Sequence, residues 1–212
     1  APADPQGLVL AVKGGHNGES HNHNDLGQLV VHWRGESLVT DLGAGRYTRQ
    51  FFEPEHRYRH PACSSHGHAV PSVDGRGQLA GPEHRAEVRQ RIAGDWEDGV
   101  ELELASAYPA DLGLERLRRR VTLERLAPHG RVRVVDELLA REPRLLESAL
   151  ISLGAIEPVQ PGLLRLRGER GALRVRYDPA TVAVRHETLQ AVDLAGGPRD
   201  VERVALAWPA PQ

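Results

Sequence analysis

Residues 114–126, LERLRRRVTLERL, decide how this chain is to be read, because their composition and their order disagree. Leu, Glu and Arg are good helix formers, and a helix over this stretch would be unremarkable by composition. From Arg119 to Leu123, however, apolar residues recur every second position, with Val121 and Leu123 on one side and Arg120 and Thr122 on the other. That period of two belongs to a half-buried strand. The neighbouring segments settle it. GRVRVVDELL (130–139), HRAEVRQRIAG (84–94), GVELELASAYP (99–109), GLLRLRG (162–168), ALRVRYD (172–178) and ATVAVRHE (180–187) all alternate, and Gly, Pro or Asp stands between them. The pairs Leu102/Leu104, Val121/Leu123, Val132/Val134 and Val182/Val184 are each expected on one sheet face. Many such strands separated by turn residues predict an all-β fold, a large antiparallel β-sandwich with little helix.

Toward the N-terminus the pattern is less uniform. Residues 1–7, APADPQG, read as a linker, and 8–212 as the sandwich. LVLAV (8–12) is expected as a short buried strand. LGQLVVHW and ESLVTD flank Arg34-Gly35 and predict a hairpin. Residues 46–62 lose the period of two and are expected to be irregular or partly helical.

The 212 residues are enough to bury a core, and the apolar content is 40%. No apolar run approaches the ~18 residues of a membrane span, and a net charge of −2 leaves no footprint for nucleic acid. Neither a membrane nor a nucleic acid is therefore expected as a partner. Cys63 is the only cysteine, which excludes an internal disulfide, and Lys13 is the only lysine. The chain begins with Ala1 and contains no methionine, so it reads as a piece cut from something longer.

Chemistry concentrates in GGHNGESHNHNDLG (14–27). Eight of the eleven histidines, His16, His21, His23, His32, His56, His60, His66 and His68, lie within residues 16–68. Buried histidines must stay neutral and hydrogen-bonded, so crowding them serves a site better than it serves stability. If the segment is extended, His21 and His23 point the same way and present two imidazoles to one centre. Asp41 closes the second arm of the hairpin, at the end that carries His23, and His66 or His68 can add a third ligand. Two histidines and a carboxylate suit zinc; a hydrogen-bonded histidine network is the alternative. Asn24 and Asp25 are read as bracing the loop, and the arginine-rich strands as a solvated sheet face. A cupin motif nearly fits through Gly15, His21, His23 and Gly35, but Gln28 stands where its Glu ligand belongs.

Three blocks in order carry a more specific likeness: GGHNGESHNHNDLGQLVV (14–31), GESLVTDLGAGRYT (35–48) and YRHPACSSHGHAVPSVDGRGQ (58–78). Together they resemble the C-terminal sheet domain of the heparinase II/III-like polysaccharide lyases, with the specific match covering residues 14–78. That resemblance implies an antiparallel β-sandwich preceded, in full-length members, by an α/α toroid of helices. No series of helix pairs is present in this sequence, so the toroid is expected to be missing. It implies Zn2+ held by His23, Asp41 and His68, in an organising rather than a Lewis-acid role. It also implies catalytic roles for His21 and Tyr58, with Tyr47 as the competing tyrosine. The family places Asn after the third ligand where this chain has Ala69, and His66 lies close by, so the third ligand is His68 or His66. The implied substrate is an acidic, uronate-containing polysaccharide or oligosaccharide of the glycosaminoglycan or alginate type, cleaved by β-elimination. The implied location is periplasmic or secreted. A fragment lacking the toroid is expected to be inactive alone. A carbohydrate-binding or structural sandwich that keeps the metal loop, and a cupin-like metal enzyme, are the competing functions.

Overall fold

The computed structural model describes residues 7–125 and 129–209; the linker reading of residues 1–7 falls almost wholly outside them. The strands are β1 (Val9–Val12), β2 (Gly15–Asn17), β3 (Leu29–Trp33) and β4 (Glu36–Val39). A helical excursion follows, with one short helix, α1 (Pro54–Arg57), between 3-10 turns at Gln50–Phe52 and Ser65–Gly67. Next come β5 (Pro71–Val73), β6 (Gly81–Ala93), β7 (Glu97–Glu103), β8 (Leu114–Glu124) and β9 (Arg131–Ala140). The chain ends with β10 (Leu146–Ser152), β11 (Ala155–Gln160), β12 (Leu163–Arg167), β13 (Ala172–Arg176), β14 (Ala183–Leu194) and β15 (Gly197–Trp208). Within that stretch, Leu114–Glu124 is thus strand, as its alternation demands.

Four antiparallel sheets result, ordered β1-β3-β4, β2-β6-β7-β8-β9, β14-β15-β10-β5 and β11-β12-β13. They stack as a sandwich because the alternating strands leave one apolar face each. Val121 of β8 meets Leu150 of β10 and Val204 and Leu206 of β15, with Leu29 and Val31 of β3 and Leu164 and Leu166 of β12 filling the same core. A second cluster joins Leu102, Leu104 and Leu117 to Val73 and Leu146. Among the described residues none of the four sheets closes into a barrel, as a cupin would require. The β3–β4 hairpin turns on Arg34 (φ 54°) and Gly35 (φ 82°), both left-handed, which is the two-residue turn that matches strand twist.

Two expectations need correcting. β1 is half-buried rather than buried, with Val9 51% exposed, because it lies at the edge of its sheet. Val184 does not share the fate of Val182: Val182 is buried just ahead of β14, whereas Val184 lies within the strand and is exposed. The arginine run also divides. Arg116, Arg118 and Arg120 sit on the outer face, where Arg118 and Arg120 pair with Glu101, Glu103 and Glu97. Arg119 alternates inward with Leu117 and Val121 and is fully buried. It forms a two-pronged ion pair with Asp136 at 2.7 and 2.8 Å and donates to Ser148 Oγ at 2.7 Å. Its remaining donor reaches the carbonyls of Gly27 (3.0 Å) and Ala69 (2.8 Å).

Behind the main core, Ile151, Val192, Leu194 and Val201 gather on the opposite face of the β14-β15-β10-β5 sheet and hold Leu42 and Ala62. This satellite cluster fastens the histidine-bearing loops to that sheet. Among the described residues, no helix is long and apolar enough to cross a membrane.

Candidate active site

Three sequence blocks meet at this edge of the sandwich, and polar side chains join them. Gln78 accepts from Leu26 N at 2.8 Å and donates to Leu26 O at 2.7 Å, and its Oε1 also accepts from Asn17 Nδ2 at 3.1 Å. Asn24 donates to Gln78 O, and Ser65 Oγ both donates to Asn24 O and accepts from Gln78 N. Gln28 bridges the other pair of loops, donating to Thr40 O and accepting from Ala69 N. It is an internal clamp, which explains why a Gln stands there instead of a metal-binding Glu. All of these groups are buried, so each bond left unmade would cost about 1–3 kcal/mol.

The clamps bring His68 and Asp41 together, with His68 Nδ1 lying 3.4 Å from Asp41 Oδ2. His68 is completely buried, and its Nε2 donates to Ala62 O at 3.1 Å. Nδ1 has no hydrogen-bond partner. With the proton on Nε2, the Nδ1 lone pair faces a carboxylate, an arrangement that requires a cation between them, either a proton or a metal ion. A histidine whose far nitrogen donates to a backbone carbonyl has the outer support of a metal ligand. The His23 ring lies 5.3 Å from that of His68, and one ligand atom each of His23, Asp25 and His68 fall within 4.8 Å of one another. These donors fit a divalent cation. His66 points away, toward Glu187 at 3.6 Å, while its carbonyl accepts from Arg203.

The electrostatics agree with this crowding. Burial, then the neighbouring His68, lower the His23 pKa to about 4, with Lys13 and Arg57 adding to the effect and Asp41 opposing it. Burial alone would raise Asp41. The His68 imidazole, the Gly43 N–H on Oδ1 (2.6 Å) and His23 outweigh it and hold the carboxyl at about 2. Asp25, buried beside Lys13 Nζ at 2.5 Å, is shifted upward, chiefly by burial.

His21 stands apart from this group. The segment is not extended there: His21 has φ 60°, in the left-handed region, so the two imidazoles of HNH diverge instead of sharing a centre. Such a non-glycine conformation costs about 1–3 kcal/mol and turns the ring outward. His21 Nδ1 lies 3.2 Å from the Tyr47 hydroxyl, and its ring contacts Tyr47 and Phe52. Tyr58 is half-buried at the end of α1, beneath the Arg57 guanidinium. Among the described residues no hydrogen bond joins it to His21. Arg57 is itself buried and donates to Asn22 O at 2.8 Å, supporting the HNH loop from below.

Of the residues singled out in the sequence, the structure groups His23 and His68 with Asp25, sets Asp41 beside His68 alone, and pairs His21 with Tyr47. Asp25, Gln78 and Arg119 had been given no such part. Arg119 was detectable, since it shares the parity of Leu117 and Val121.

A family model described as heparinase II/III-like, C-terminal, matches residues 5–201. Among solved structures, the heparan sulfate lyase HepC from Pedobacter heparinus is similar at 15% identity and a TM-score of 0.73, over 96% of this chain and 31% of that one. A heparinase III gene product is similar at 14% identity and a TM-score of 0.78, over 97% of this chain and 31% of that one. This chain thus spans about a third of the length of those enzymes. No curated protein sequence matches.

Proposed function

The chain belongs to the heparinase II/III-like, C-terminal family, and from that premise we propose that it forms the sandwich half of a polysaccharide lyase acting on a uronate-containing acidic glycan. The observation that carries the reading is the His21–Tyr47 hydrogen bond on the exposed edge of the loop cluster that buries the unpaired His68 Nδ1.

β-Elimination on a uronate breaks the C5–H bond, forms the C4=C5 double bond and breaks the bond from C4 to the glycosidic oxygen, which leaves with a proton. The C5 proton is acidic enough only when the adjacent carboxylate is neutralised. His21 is suited to neutralise that carboxylate or to move the proton, since an imidazole can both donate and accept a proton. Tyr47 shares a proton with His21 Nδ1, so the phenol can act as acid, or as base once it has passed its own proton on. Among the described residues Tyr58 has no such connection, so the proposal takes Tyr47, the competing tyrosine, as the partner of His21. His23, Asp41 and His68 would hold a zinc ion, which when bound would tie the HNH loop, the end of β4 and the 65–69 turn into one frame. That organising role meets the sub-ångström tolerance of proximity catalysis. The heparan sulfate lyase similarity favours a glycosaminoglycan over alginate.

The test uses the full-length two-domain parent. His21→Ala and Tyr47→Phe should each cut formation of the unsaturated sugar, read by its ultraviolet absorbance, by ~100-fold or more, with bound zinc unchanged. Tyr58→Phe should retain activity, and His23→Ala should lose zinc by elemental analysis. Full activity in both His21→Ala and Tyr47→Phe would overturn the assignment.

A further inference from the structure

We propose that Asp25 is a fourth donor of the metal site, held in the metal-free chain by Lys13, whose ammonium withdraws when a divalent cation enters. The inference rests on the metal-organised reading above and extends it. Asp25 lies in the group of ligand atoms, with His23 and His68, that fall within 4.8 Å of one another. Its side chain is only 4% exposed, so its charge demands a cation at all times. In this structure Lys13 supplies it at 2.5 Å.

Lys13 is well placed to supply that charge and also to release it. Its backbone pairs with the far end of the same loop, Lys13 N to Gln28 O and Gly27 N to Lys13 O, which fixes the start of the side chain opposite Asp25. The side chain is 34% exposed, so the ammonium can swing into water without crossing protein. No other lysine exists in the chain to replace it.

Charge balance points the same way. With His23, His68 and Asp41 alone, a divalent cation would leave one net positive charge in a largely buried pocket. Adding Asp25 brings the set to neutrality, and the departing ammonium removes a charge that would repel the ion, leaving Arg57 as the neighbouring cation. Four protein donors would match the ligand number of structural zinc and leave no position for a reacting water. The site then organises the loops and does no Lewis-acid chemistry.

The experiment measures Zn2+ affinity by competition with a chromophoric chelator for the unmodified chain, Asp25→Asn and Lys13→Gln. Asp25→Asn should weaken binding by ~10-fold or more, and Lys13→Gln should tighten it several-fold by removing the competitor. In the Co2+-loaded protein, the intense visible absorption of a four-coordinate site should fall in Asp25→Asn as water enters. Unchanged affinity in Asp25→Asn overturns the inference while leaving the metal site standing. No Zn2+ bound by the unmodified chain overturns both. Should Asp25→Asn not fold, Lys13→Gln decides alone, and affinity equal to or below that of the unmodified chain overturns the proposal.

Discussion

His23 and Asp41 are tuned in opposite senses relative to their charged forms, and together they make the metal-free protein sensitive to acid. His23 is lowered from 6.5 to about 4, so the folded chain holds it neutral where the unfolded chain would protonate it. Its contribution to stability is complete above pH 6.5 and fades as the pH falls toward 4. Asp41 is lowered from 3.8 to about 2, so its contribution is complete above pH 3.8 and is lost on the way to 2. The first window belongs to the histidine and the second to the aspartate. Because His23 is half-buried, its share is discounted to on the order of 1–2 kcal/mol. Urea unfolding of the metal-free chain between pH 7 and pH 4.5 should show that loss, and His23→Gln should flatten the curve. An equal slope in the variant would assign the acid sensitivity to other groups.

At the scale of elements, the 3-10 turn Ser65–Gly67 delivers His68, and Gly67 is what lets it do so. A Cβ on Gly67 would meet the Pro61 carbonyl oxygen at 2.1 Å and its carbon at 2.6 Å, both backbone atoms that cannot swing away. Gly67→Ala should therefore cost about 1–3 kcal/mol and weaken Zn2+ binding by displacing His68. Gly14→Ala, with nothing within 4 Å, should leave both unchanged. Chemical denaturation and chelator competition on the two variants check this. No single-residue period announces that crowding, and this marks the limit of what the sequence discloses. The strands were legible because Leu102, Val121 and their neighbours repeat every second residue, and the β3–β4 hairpin because Arg34-Gly35 suits a left-handed turn. The loops obey no period. The divergence of His21 from His23 follows from one left-handed φ, and the orientation of the His68 ring from an Ala62 carbonyl six residues back. Arg119 was half legible: its parity puts it inside, but its acceptors on Gly27 and Ala69 lie 92 and 50 residues away and emerge only from the stacked sheets.

At the scale of the whole molecule, the sandwich presents the hydrogen-bonded His21–Tyr47 pair on an open surface. Tyr47 is 55% exposed and Phe52 44%, and His21 is exposed between them. An open surface of this kind leaves the reacting carboxylate hydrated and its charge screened, so the C5 proton stays too weakly acidic for one imidazole and one phenol. Closing the site from above would exclude water and strengthen every charge interaction within it. The proposed toroid would be the element that does so. The isolated chain should accordingly unfold in one cooperative transition and bind about one zinc, yet release no unsaturated sugar from heparan sulfate. The two-domain parent should release it. Parallel calorimetry and absorbance assays on the two proteins measure all three quantities. Turnover by the isolated chain at the parent's rate would mean that the cleft is complete within the sandwich. Folding and zinc binding without turnover would place the missing acid–base and carboxylate-neutralising groups on the other side of the cleft, over His21 and Tyr47.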